Sequence, residues 1–194
     1  MKEDDKGPLA KGTILIPLAI IINTFKDLNW TGETELTEQD LKIIRGGILS
    51  TKWYERSLLE KMTMATFKLI AKNKPEEVFR FGEGMLSKIL LKIYSGPFDS
   101  NNPREILAKF ASYYGNAWLN SGKAEFIPLE KGGIFRINDP EGIPFQECIV
   151  PMLKGVFTGL IKANGGKNIG IECEEESLVH SRKLTTLTAN ISWE

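Results

Sequence analysis

The stretch KAEFIPLEKGGIFRIN (123–138) changes the period of the chain, and its reading decides the fold. Upstream, apolar residues recur every three or four positions. From Lys123 they come in short β-rich runs around Lys131-Gly132, which reads as an antiparallel hairpin of 123–130 and 133–138. Asp139-Pro140-Glu141-Gly142 reads as a turn. FQECIVPMLKGVFTGLIKANGG (145–166) then returns to helical spacing through Ile149, Met152, Val156 and Leu160, with Asn164-Gly165-Gly166 as its stop. Ile169, Ile171 and Cys173 alternate, as do Leu187, Ala189, Ile191 and Trp193, which predicts two half-buried closing strands. This half of the chain is β-β-α-β-β.

Working back toward the start, three helices are marked. Asn102, Pro103 and Glu105 stand at the cap, first and third positions of one, whose apolar face is Ile106, Phe110, Tyr113 and Ala117, widened by Tyr114 and Trp118. A second opens at Pro75 and runs through Ile93. The third carries Tyr54, Leu58, Met62, Ala65 and Leu69 on one face. Thr37 with Asp40 predicts the start of a short helix that Gly46-Gly47 ends. The apolar run from Thr13 to Lys26 reads as a further helix, with Pro17 in its first turn. Residues 1–11 are assigned to a mobile tail and 12–194 to a single α+β domain, in which N-terminal helices pack on a four-stranded antiparallel sheet.

With 194 residues, 42% of them hydrophobic and 26% charged, the chain can fold around one core without staples. Lys+Arg and Asp+Glu balance at 25 each, and the basic residues are interleaved with acids. The stripe that phosphate neutralisation requires is missing, so nucleic acid is excluded as the main partner. Two cysteines suit a reducing compartment. The run Ile14 to Ile22 follows Glu3, Asp4 and Asp5, unlike a secretion signal, and is too short to span a bilayer. The expected location is the cytoplasm, with no transmembrane segment.

Catalytic chemistry finds little support. No glycine-bounded nucleophile turn surrounds either cysteine, no phosphate-cradling motif occurs, and His180 is the sole histidine. Cys148, Cys173 and His180 could form a zinc site, but their spacing matches no paired-ligand motif. Plain core cysteines are the simpler reading, and no cofactor is expected. Gly155 and Gly159 bare one stripe of their helix, either for internal packing or for a homodimer contact. Trp53, Tyr54, Phe110, Tyr113 and Trp118 are the aromatic residues expected to line an apolar ligand pocket.

Gly46-Gly47-Ile48-Leu49 with Trp53-Tyr54, Phe110 to Trp118, the Cys148 region with Gly155 and Gly159, and the strand ending in Trp193 resemble a bacterial family of unknown function expanded in myxobacteria. That family is similar to a ligand-binding superfamily of 4-vinyl reductase-type domains, haem–nitric-oxide sensors and TRAPP tethering subunits. The resemblance implies helices on a four-stranded antiparallel sheet, often around an apolar cavity and often dimeric. Cys148 and Cys173 match two positions of the reductase-type cysteine cluster, whereas the third is absent; His180 or Ser181 lies nearest. The haem sensors' Tyr-x-Ser-x-Arg motif is missing, and His180 falls on no helix that could present it to iron. The expectation is a non-enzymatic module for a small apolar or lipid-like ligand, sensory in role. The alternatives are an adaptor acting through a homodimer or a protein partner and, behind both, a metal-dependent enzyme.

Overall fold

The computed structural model describes residues 7–96, 98, 100–144, 146–177 and 183–194. Strand β1 (Leu9–Lys11) leads into helices α1 (Gly12–Thr24), α2 (Trp30–Glu33) and α3 (Glu38–Arg45). Strand β2 (Trp53–Glu55) then precedes α4 (Arg56–Leu69). Helix α5 (Pro75–Phe81) continues through a π-helical turn (Gly82–Leu86) into α6 (Ser87–Ile93), and α7 (Pro103–Tyr113) through a second π turn (Tyr114–Trp118). The rest is β3 (Lys123–Leu129), β4 (Gly132–Pro144), α8 (Gln146–Ala163), β5 (Gly170–Ser177) and β6 (Lys183–Ser192). The four long strands form one antiparallel sheet in the order β3-β4-β6-β5. This is the expected α+β architecture.

Local chemistry explains most boundaries. The Thr37 hydroxyl accepts from the Asp40 backbone N–H at 3.1 Å, while the Asp40 carboxylate accepts from the Thr37 N–H at 2.9 Å. This reciprocal box starts α3. Asn102 caps α7 by accepting from the Arg104 N–H at 3.0 Å, with Pro103 in the first turn, where its missing donor costs nothing. Along β4 the pleat turns Phe135, Ile137 and then Asp139 to the buried face. Leu187, Ala189 and Ile191 of β6 join them, and Phe157, Leu160 and Ile161 of α8 belong to the same core.

Four expectations change. The assigned tail gives way to strand at Leu9: β1 pairs with β2, placing Ala10 opposite Tyr54, and Ala10 is fully buried. Tyr54 is therefore a strand residue, and α4 begins only at Arg56. The stretch 139–142 is not a turn between elements. β4 runs through it with a break in register between Asn138 and Ile143, an irregularity that accommodates Pro140 and Gly142 without ending the strand. Pro17 sits in the second turn of α1 because the helix begins at Gly12.

Gly155 and Gly159 are taken up by internal packing. A Cβ at Gly155 would stand 2.1 Å from the Phe79 carbonyl oxygen, and one at Gly159 would stand 2.6 Å from that of Glu83. Helix α8 thus lies directly on the backbone of α5 and its π turn, a contact only a side-chain-free stripe permits. The stripe is not available for a dimer contact.

Candidate functional site

A cavity of about 170 Å³ lies between the N-terminal helices and the sheet. Ile14, Pro17 and Leu18 of α1 form one wall, and Leu86 and Leu90 of the α5–α6 segment another. Phe110 and Trp118 close it from α7 and its π turn, Ile137 from the sheet, and Met152 and Val156 from α8. The surface is almost wholly apolar because each element turns its core stripe inward and these stripes do not quite meet.

One end of the cavity is polar. Arg56 Nη1 stands 2.8 Å from Asp139 Oδ2, and both side chains are almost completely buried. The same guanidinium donates to the Gly142 carbonyl at 2.7 Å and to the Ser121 hydroxyl at 3.0 Å, and its Nε faces Glu60 Oε1 at 3.4 Å. The Tyr114 hydroxyl donates to Asp139 Oδ2 at 3.2 Å. Burial first, and the Asp139 charge second, push the Tyr114 phenol well above its ordinary range, so it stays protonated. Arg56, Glu60 and Tyr114 all contribute to the cavity wall. A buried ion pair of this kind holds only if its remaining donors and acceptors are satisfied, as they are here by four partners around Arg56.

Of the five aromatic residues singled out from the sequence, Phe110 and Trp118 line the cavity, packed edge to face at 4.7 Å. Tyr113 lies behind them, stacked on Trp118 with ring centroids 5.8 Å apart. Trp118 Nε1 donates to the Tyr94 hydroxyl at 2.6 Å, which fixes the indole's orientation. Trp53 and Tyr54 are elsewhere. Trp53 is exposed under the Lys11 ammonium, and the Tyr54 hydroxyl accepts from the Leu49 N–H at 2.9 Å. Cys148 is buried in a small satellite cluster with Phe67, Ala71 and Val78, whereas Cys173 packs against the main core from β5. Burial pushes the Cys148 thiol up to about 12, which disfavours the thiolate a metal would need. His180, the third member of the suggested zinc set, lies outside the described residues.

The sequence reading missed Arg56, Glu60 and Asp139. Asp139 shares the parity of Phe135 and Ile137, and that parity was the available signal. Arg56 and Glu60 are spaced four apart on α4, which places them on one helix face.

No family model matches this sequence, and no curated protein matches it. Solved structures do resemble the fold. An oxygen-binding H-NOX domain related to soluble guanylate cyclases superposes with a TM-score of 0.64 at 13% identity, over 95% of both chains. An H-NOX protein from S. oneidensis in its Fe(II)NO state gives 0.58 at 13% identity, over 95% of this chain and 99% of that one. A mutant H-NOX protein from K. algicida, in its Fe(II) unliganded state, gives 0.59 at 13% identity. At such identities the likeness is one of fold.

The cavity does not suit the haem that this fold implies. Among the described residues, none that lines it is a histidine. Tyr114 is held as the neutral phenol, a poor iron ligand. Arg56, the one guanidinium among the described wall residues, is already committed to Asp139, Ser121 and Gly142. The volume is close to the about 150 Å³ of engineered cavities that take up benzene, and a tetrapyrrole is several times larger. Among the described residues there is also no cluster of three metal-ligating side chains, and no helix is long and apolar enough to cross a membrane.

Proposed function

We propose that the chain is a non-enzymatic binding or sensory module that takes a small apolar molecule, without haem, into the cavity between its N-terminal helices and its sheet. The observation that carries the reading is the cavity itself: about 170 Å³ walled by core side chains of six separate elements, with a fixed polar end. A ligand there touches α1, α4, the α5–α6 segment, α7, α8 and β4 at once, so its presence biases how these elements pack, which is what a sensor requires. The H-NOX likeness supports a ligand at this place in the fold, while the residues of this chain favour an apolar occupant over an iron porphyrin.

Calorimetric titration with toluene tests the reading. Burying seven carbons at about 0.8 kcal/mol each corresponds to a Kd on the order of a tenth of a millimolar to a millimolar. Val156→Phe, which fills the cavity, abolishes binding while the protein stays folded. Absence of toluene binding to the unaltered protein, or a Soret band shifted on adding hemin, refutes the reading.

A further inference from the structure

A second cavity, of about 370 Å³, lies beside the first. Thr66 and Phe67 of α4, Val78 and Arg80 of α5, and Cys148 of α8 contribute to its wall. Leu18, Thr63 and Met152 belong to the walls of both cavities. Met152 also packs against both the main core and the satellite cluster around Cys148, so it marks the seam between two apolar regions.

The seam is made of movable side-chain matter. A Cβ at Gly82 would lie 2.4 Å from the Met152 carbonyl oxygen, and one at Gly155 would lie 2.1 Å from that of Phe79. Close backbone contacts therefore clamp α8 against α5 and the π turn at Met152 and at Gly155. Of the three side chains that both walls share, Met152 is a thioether chain with three rotatable bonds, the most adaptable of apolar side chains. Nor does the seam carry a polar barrier. The Thr63 hydroxyl donates to the Leu59 carbonyl at 2.8 Å and that of Thr66 to Met62 at 2.9 Å, both within α4. An alkyl chain crossing there strands no donor.

The charged chemistry of the second cavity is at its solvent side. Arg80 Nη1 pairs with Glu77 Oε1 at 2.9 Å, and the two side chains are 71% and 46% exposed. An exposed pair of this kind contributes little, so a ligand carboxylate displaces Glu77 from the guanidinium at small cost.

We propose that the two cavities form one site for an unbranched, medium-chain fatty acid, with its carboxylate at Arg80 and its tail passing Met152 into the first cavity. The proposal rests on the reading of the first cavity as a ligand site. In proportion to the benzene-binding cavities, the first cavity takes about seven tail carbons and the two together about twenty, so a chain of about ten to fourteen reaches from one into the other with room left in the second. The tail supplies the affinity, and the head sets the direction.

Calorimetry with two probes, dodecanoate below its micellar concentration and toluene, tests this. A Cβ at Gly84 meets no atom within 4 Å, so Gly84→Phe adds bulk at the wall of the second cavity without backbone strain. The unaltered protein is expected to bind both probes. Gly84→Phe weakens dodecanoate at least tenfold and Arg80→Gln about threefold, and both leave toluene unchanged, which also reports that the variants are folded. Toluene binding without dodecanoate binding overturns the proposal while leaving the first cavity a ligand site. So does Gly84→Phe binding dodecanoate as tightly as the unaltered protein. Failure of both probes on the unaltered protein refutes the reading of the first cavity, and this proposal with it.

Discussion

Replacing Asp139 by asparagine keeps the shape of the side chain and removes the charge opposite Arg56. The guanidinium is then left in an almost fully buried position, with Nη1 2.8 Å from an amide in place of a carboxylate. Removing one member of a buried ion pair commonly costs about 3–5 kcal/mol, because the other charge remains desolvated. Here the cost is reduced, since Glu60 stands 3.4 Å from Arg56 Nε on a side chain that water partly reaches, and Gly142 and Ser121 still accept hydrogen bonds. We expect about 2–4 kcal/mol. Urea unfolding followed by tryptophan fluorescence reads this directly. With a slope near 2 kcal/mol/M, the midpoint falls by about 1–2 M. The double variant Arg56→Met, Asp139→Leu removes both charges together and is expected to recover most of the loss, because an apolar pair bears no desolvation cost. A midpoint shift below about 0.3 M for Asp139→Asn refutes the reasoning. So does a double variant whose loss is the sum of the two single losses, since that means the charges are not coupled.

Three further outcomes follow from the same geometry. Gly155→Ala puts a methyl group against the Phe79 carbonyl and is expected to cost about 2–3 kcal/mol in thermal or urea unfolding, with no change in oligomeric state by light scattering. The Tyr114 phenol is raised in the folded protein, so its contribution is fully present below about pH 10 and is lost as the unfolded chain ionises above it; Tyr114→Phe flattens the alkaline fall in urea midpoint. Burial alone raises the Asp40 carboxyl, but hydrogen bonds from Thr37 and the Lys61 ammonium at 3.1 Å outweigh it and hold the group below its ordinary value. Its stabilisation is therefore present above about pH 4 and lost as pH falls through the lowered value, and Asp40→Asn narrows the stability difference between pH 6 and pH 3.

The sequence by itself determined the order of the main helices and the four long strands, and much of the end chemistry, because these depend on neighbours within one or two turns. Thr37 with Asp40, Asn102 with Pro103, and the switch from helical to alternating spacing at Lys123 are local signals with local causes. Phe110 and Trp118 were legible as cavity residues because they share one face of a well-marked helix. Tertiary structure decided the rest. Tyr54 leaves the helix because a distant segment, Leu9–Lys11, offers it and Trp53 a strand partner. Asp139 becomes the most buried charge of the site only because Arg56, brought from another element, meets it there. The glycine stripe of α8 is equally compatible with an internal or an external contact until α5 is laid against it. Cavities are the extreme case. Their volume is what several elements fail to fill between them, a property of the whole packing that no window of sequence contains.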